Sequence, residues 1–296
     1  MSAIRRFVLG LPALWLLLFF LAPFALVAKI SLSRSAIAQP PYEPVFSFSD
    51  AWPALIDKAQ SLSLDAYALM LEDDLYISAY LSSLRIAAIA TLITLLVAFP
   101  LAHAMTRAPA RWRPALVLLA IAPFWTSFLI RIYAWIMILK DEGLLNHALM
   151  SLGIIDAPLS IFASDTAVLI GIVYSYLPFM VLPLYTALER QDPALLEAAA
   201  DLGATPLRAF WRITVPLARP GIIAGILLVF IPAVGEFVIP DLLGGSDTLM
   251  IGRTLWNEFF ENRDWPAASA VAILLLALLL VPILWHERVQ MKEGAS

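Results

Sequence analysis

Two ionisable side chains stand inside long apolar runs of this sequence, Arg131 and Glu236. A charge at membrane depth is costly to bury and is kept where it pairs or where it meets a solute. Each lies about 16 residues beyond the start of its run, which at about 1.5 Å per residue is roughly 24 Å along a helix. The equal depth predicts an ion pair in the outer third of a bundle. Two chemistries fit such a pair. It locks the bundle, or Glu236 receives a cationic solute at an outer gate with Arg131 as its resting partner. Aromatic residues crowd the same stretches: Trp125, Phe128, Tyr133 and Trp135 around Arg131, Tyr174 and Tyr176 in the next run, and Trp256 beyond Asp241. Aromatic faces beside carboxylates hold ammonium groups by cation–π attraction and charge pairing. An interfacial belt explains Tyr133, Trp135 and Trp256 equally well. The candidate path or gate residues are Glu236, Asp241, Arg131, Tyr133, Trp135, Tyr176 and Trp256.

Other chemistries find no support. The chain has no G-x-x-x-x-G-K-[ST], no H-E-x-x-H and no G-x-S-x-G, and it lacks cysteine. Its histidines, His103, His147 and His286, fall on separate segments. No hydrolytic or metal centre is predicted, no cofactor is expected on this chain, and any ATP must be bound by another polypeptide.

The elements that must position these residues are membrane spans. Of 296 residues, 61% are hydrophobic and 14% charged, which excludes an ordinary soluble domain. Apolar runs close to the length of a bilayer-crossing helix recur. They predict an all-α protein with six spans: about 7–31, 79–105, 115–139, 167–188, 220–238 and 267–284. The first run is too long for a signal peptide and is read as a retained span. Residues 33–75 form a long polar segment with one short amphipathic helix near Trp52, Leu55 and Ile56. Shorter polar loops follow at 141–165 and 240–265. Pro178 and Pro183 predict a bend in the fourth span. Gly221 and Gly225 in the fifth permit close helix approach, and Pro232 and Gly235 weaken it just before Glu236. Arg85 reads as a residue that reaches to the interface and needs no function.

Orientation follows from where the cations fall. One side collects Arg5, Arg6, Arg107, Arg111, Arg113, Arg190, Arg208, Arg212, Arg219, Arg288 and Lys292. The other has Arg34, Lys58, Lys140, Arg253 and Arg263. Both termini and the 189–219 loop are expected in the cytoplasm, and residues 33–75 outside.

The 189–219 loop is too helical to be a plain connector. Asp192 is placed to cap a helix with Pro193 in its first turn. Leu195, Leu196, Ala199 and Leu202 recur at helical spacing, and Gly203 is a natural stop. Thr205 is placed to cap a second short helix from Pro206, which Pro216 is expected to end. The order Glu197-Ala198-Ala199, three residues, Gly203, nine residues, Ile213, one residue, Val215-Pro216 is long and specific.

That order resembles the EAA loop of ABC importer permeases, with Val215 where the family usually has leucine. The likeness extends over PFWTSFLIRIYAWIMILKDEGLLN and over GEFVIPDLLGGSDTLMIGRTLWNEFFENRDWPAASAVAI. Both stretches are similar to polyamine importer permeases, most of all to the first permease subunit of putrescine systems. The resemblance implies a single permease domain over 1–296 with the type I importer (MetI-like) fold in the bacterial inner membrane. It implies that Glu197, Ala198, Ala199, Gly203, Ile213 and Pro216 form the coupling element that sits in a cleft of a separate ATPase. It further implies a second, non-identical permease subunit, two copies of that ATPase holding ATP and Mg, and a periplasmic polyamine-binding protein. Lipid is the surrounding partner, and no nucleic acid is involved. Related permeases move other solutes on this fold, and an ion-coupled carrier is the other reading of six spans without a nucleotide site.

Overall fold

The computed structural model of the chain describes residues 3–47 and 49–293. In order, its helices are α1 (Ala3–Leu16), α2 (Ala22–Ser31), α3 (Trp52–Gln60), α4 (Asp65–Glu72), α5 (Asp74–Arg107), α6 (Arg113–Ile121), α7 (Phe128–Leu139), α8 (Leu144–Ser151), α9 (Asp165–Glu189), α10 (Ala194–Asp201), α11 (Pro206–Ala209), α12 (Val215–Val234), α13 (Val238–Leu243), α14 (Ile251–Phe260) and α15 (Trp265–Glu293). A two-residue antiparallel pairing, Arg34–Ser35 with Tyr42–Glu43, is the only sheet among the described residues. The chain forms two compact units, one from residues up to Ala79 together with those from Thr254, the other from Tyr80 to Arg253.

In the first unit α15 packs along α2 and α4. The apolar stretch Gly10–Ser31 is long enough to span, and a π-helical turn at Leu17–Leu21 joins its two halves. The Lys29 ammonium at its end bonds the Pro44 carbonyl and stands 4.3 Å from the centre of the Tyr42 ring. The polar segment after it holds two helices, α3 and α4, where the sequence suggested one. Lys58 ties α3 back to Asp50 at 2.6 Å. The side chains of Arg5, Arg6, Arg288 and Lys292, which enter the charge count, lie outside the described residues.

The second unit is built on the crossing of α9 and α12. A Cβ added at Gly221 would stand 2.6 Å from both the Ala187 Cβ and the Pro183 carbonyl, and one at Gly225 would stand 2.5 Å from the Met180 sulfur. The two glycines therefore serve an approach within this chain. Around the crossing lies a buried apolar cluster that includes Ala98, Ala102, Met180, Leu184, Ala218 and Val229.

Among the described residues, four of the six expected spans are single helices long and apolar enough to cross a membrane: Gly10–Ser31, Asp74–Arg107, Asp165–Glu189 and Pro206–Val234. The expected third span is broken: Arg113–Trp125 and Phe128–Ser151 meet at 87°. Pro123 introduces a 3-10 turn, and Thr126 and Ser127 then adopt extended backbone. Helical hydrogen bonding stops there, although the hydropathy continues. The last apolar stretch, Trp265–Val281, begins a longer helix. The fifth span starts earlier than expected. Pro216 does not end the helix from Pro206; a π turn at Phe210–Thr214 carries α11 into α12, with the Val215 N–H donating to the Phe210 carbonyl. The extra residue in that turn accommodates a proline without its N–H, and the helix passes through. The expected 240–265 loop is also helical and tightly packed at its start, with Ile239, Leu243, Met250 and Ile251 wholly buried.

Candidate functional site

The elbow after α9 is assembled as its residues dictate. The Asp192 carboxylate accepts from the Ala194 N–H at 2.9 Å and so caps α10. Gly203, at φ +77°, reverses the chain behind it. The Ala204 N–H then reaches the Ala199 carbonyl and the Gly203 N–H the Ala200 carbonyl, each at 2.9 Å, the paired closure that a left-handed residue permits at a helix end. The Thr205 hydroxyl accepts from the Arg208 N–H and caps α11. Only Ala199 of α10 is buried; Glu197, Ala198 and Gly203 face outward. Ile213 is half-buried in the π turn and Pro216 is exposed. Leu195, Leu202, Leu207, Trp211 and Leu217 add an exposed apolar surface to the same elbow.

Two ties hold the elbow to the bundle. The Gln191 amide donates to the Thr214 carbonyl at 3.0 Å, closing the loop across its base. Phe210 meets Phe99 edge to face at 5.5 Å. A cavity of about 450 Å³ beside α10 is lined by His103, Arg107 and Arg113 together with Glu189, Asp192 and Glu197. Glu189 in turn accepts from the Tyr185 hydroxyl at 2.7 Å and lies 3.9 Å from Arg113.

The second constellation centres on Glu236, 8% exposed. The residue lies in the break between α12 and α13, not inside a span. Its Oε2 accepts from the Tyr176 hydroxyl at 2.5 Å. Its Oε1 accepts from the backbone N–H groups of Val238 and Ile239 at 3.0 and 3.4 Å. The carboxylate thus caps α13 and fastens it to α9. A Cβ on Gly252 would collide with the carbonyls of Gly235 and Glu236, so the start of α14 seats directly on this turn.

Arg131 is not its partner. No ion pair joins the two among the described residues, and the guanidinium sits 5.5 and 5.6 Å from the ring centres of Phe124 and Phe128. The depth argument behind the expected pair fails because the chain turns through 87° before Arg131, so residues counted along it no longer measure height. Phe124 packs on Phe179 at 5.0 Å and Phe179 on Tyr176 at 6.0 Å, so rings stand in series from the guanidinium to the Tyr176–Glu236 bond.

The remaining candidates are dispersed. Trp135 meets Tyr174 at 5.4 Å beside a separate apolar groove of about 320 Å³. Tyr133 is exposed. Asp241 pairs with Arg253 at 3.4 Å. Trp256, in the other unit, lies against Phe260 at 4.1 Å. Arg85 pairs at 2.7 Å with Asp165, whose other oxygen accepts from Thr248. Phe124, Phe179 and Gln191 were not singled out in the sequence. Only the nearness of Phe124 to Pro123 marked any of them.

The family described as the binding-protein-dependent transport system inner membrane component matches residues 2–290. The chain belongs to this family. The permease is 42% identical over 275 residues to the spermidine/putrescine transport system permease protein PotB of Haemophilus influenzae, covering 93% of this chain and 90% of that one. It is 46% identical over 226 residues to the protein of the same name in Escherichia coli K12, covering 76% and 82%. It is also 30% identical over 210 residues to the molybdenum transport system permease protein ModB of Mycobacterium bovis, covering 70% and 76%. A crystal structure of a bacterial alginate ABC transporter, in complex with an alginate pentasaccharide-bound periplasmic protein, shares its fold at a TM-score of 0.69 and 18% identity, covering 95% of this chain and 93% of that one. The permease is a mostly helical, MetI-like inner-membrane transport component and not an enzyme.

Proposed function

We propose that this permease is one of two non-identical membrane subunits of an ABC importer for polyamines, spermidine and putrescine alike. The observation that carries this reading is the identity of 42–46% to relatives named for both solutes, one of them matched over nine-tenths of its length. The name of those relatives pairs the two amines, so the preference for putrescine suggested by the resemblance is not part of the proposal.

The chain's own geometry supports the mechanism. Both termini and the 189–219 elbow lie in the cytoplasm, and residues 33–75 face the periplasm. The outward face of α10, with Glu197 and Ala198, seats in a cleft of a separate ATPase, two copies of which bind ATP and Mg. Ala199 is the small residue that lets α10 lie close on the bundle, and Gly203 sets the angle of the elbow. ATPase closure moves the elbow, and the Gln191–Thr214 tie passes that movement to the base of α12. The Tyr176–Glu236 bond then couples α9 to the break after α12, where the path for the amine opens and closes alternately to the two sides. A periplasmic binding protein delivers the amine.

Uptake of radiolabelled putrescine and spermidine, each in competition with the other, tests the assignment in cells whose own polyamine importers are deleted. The complete system must be expressed. Saturable, ATP-dependent uptake of either amine is expected. Uptake of neither, with the complex assembled, overturns the cargo.

A further inference from the structure

At the foot of the elbow a groove of about 570 Å³ runs between the end of α9 and the start of α12. Its apolar lining is Pro183, Ala187, Leu217, Pro220, Gly221 and Ala224. All six belong to the spans Asp165–Glu189 and Pro206–Val234. Leu217 is 45% exposed and Pro220 is exposed, so the groove is open at the surface of the chain. Just beyond the end of α9 the lining turns polar, with Arg190, Gln191 and Asp192. One groove thus passes from residues inside two spans to charged residues outside them.

Most of its polar side chains are already engaged. The Gln191 amide donates to the Thr214 carbonyl, and the Asp192 carboxylate accepts from the Ala194 N–H. The Thr186 hydroxyl donates to the Leu182 carbonyl. Arg190 is exposed and has no hydrogen bond or ion pair among the described residues. The acid beside it in sequence, Glu189, is held by Tyr185 and stands 3.9 Å from Arg113. A guanidinium left over at such a place suits a phosphate, which it grips through two parallel N–H bonds.

We propose that this groove binds an anionic phospholipid, with an acyl chain against Leu217, Pro220 and Ala224 and the phosphate on Arg190. Basic pockets between membrane helices hold acidic headgroups by this combination of charge and apolar wall. Both ends of the groove select the occupant. The part inside the spans takes hydrocarbon, and the free cation at the mouth takes a negative head. A polyamine matches neither end, and a zwitterionic lipid brings an ammonium group up to Arg190. That the lipid belongs to the cytoplasmic leaflet rests on the proposed orientation; the contact itself rests on neither the orientation nor the cargo.

The test uses the whole complex in nanodiscs of phosphatidylcholine with a trace of phosphatidylglycerol carrying a diazirine on its acyl chain. Illumination and peptide mapping locate the label. Residues 183–187 and 217–224 are expected to be labelled well above residues 10–21, an exposed apolar stretch that serves as the control. Arg190→Gln should lower the groove label about fivefold, the scale for one arginine at an anionic surface, and leave the control unchanged. Arg190→Lys should keep most of it. Ala224→Phe should lower it by filling the groove with the charge intact. Groove label no higher than the control overturns the proposal. So does equal label from a phosphatidylcholine carrying the same diazirine, or full label in Arg190→Gln. If a variant fails to assemble, competition on the wild-type complex decides. Displacement by unlabelled phosphatidylglycerol but not by phosphatidylethanolamine supports the site, and equal displacement by both overturns it. No step uses solute or ATP, so failure of the cargo assignment is read separately.

Discussion

The Tyr176 hydroxyl donates to Glu236 across 2.5 Å and so joins the middle of α9 to the turn that ends α12. The same carboxylate accepts two backbone N–H groups of α13. A single side chain thus holds three helices at the point where the fifth span stops.

Removing the hydroxyl should weaken this junction without emptying it. Tyr176→Phe is expected to destabilise the permease by about 2 kcal/mol, the scale of a hydrogen bond to a charged acceptor. Glu236→Gln keeps the shape but removes the charge. It should reduce amine uptake about tenfold or more while leaving the ATPase bound. Uptake assays beside pull-down of the ATPase separate the two effects. Normal uptake by Glu236→Gln would reduce the acid to a helix cap.

Gly203 has open space around it, so its requirement is the backbone angle and not room. A β-branched residue there costs about 1–3 kcal/mol of local strain. Gly203→Val is expected to abolish uptake and stimulated ATP hydrolysis with membrane insertion unchanged. Gly203→Asn should retain function, because asparagine tolerates the left-handed region.

Gly221 and Gly225 should behave in the opposite way, because they meet atoms and not an angle. Gly221→Val drives side-chain carbons into Ala187 and the Pro183 carbonyl. Overpacking on this scale costs about 1–3 kcal/mol. The expected result is lower permease abundance in the membrane and a lower melting temperature in detergent, in proportion to any loss of uptake.

Asp50 offers a test on the 33–75 segment. The hydrogen bond from the Lys58 ammonium, and then that from the Ser47 N–H, hold its carboxyl below the usual carboxylate range. A carboxyl lowered on folding contributes order above its unfolded value and loses it as pH falls through the lowered one. The contacts of residues 47–58 should therefore survive mild acid. Asp50→Asn should remove them at every pH. Limited proteolysis across a pH series, comparing wild type with the variant, reads this directly.

Much of the elbow was legible because local rules decide it. Asp192, Gly203 and Thr205 act on backbone groups within a few residues of themselves, and each is where its chemistry placed it. The bent third span was not legible, although Pro123 was in plain view. Hydropathy reports what a segment is immersed in and not which way it points, and PFWTSFLIRI stays apolar through the turn. The Arg131–Glu236 pairing failed for the same reason. Glu236 as a cap had a fainter signal, an acid two residues before Val238, which matters only once a helix is known to start there. The burial of Ile239, Leu243, Met250 and Ile251 carried no local sign at all. It comes from contacts such as the Ile251 N–H on the Ser83 hydroxyl, 168 residues away in sequence.

The π turn at Phe210–Thr214 has a consequence for length. It winds one surplus residue between the elbow and the membrane. Deleting that residue would leave a regular helix but swing everything on its cytoplasmic side by about 100°, the rotation of one α-helical step. The outward face of α10, with Glu197 and Ala198, would then be carried a quarter-turn or more around the axis. The compass bearing of the elbow is therefore set by a count of residues and not by any side chain on its surface.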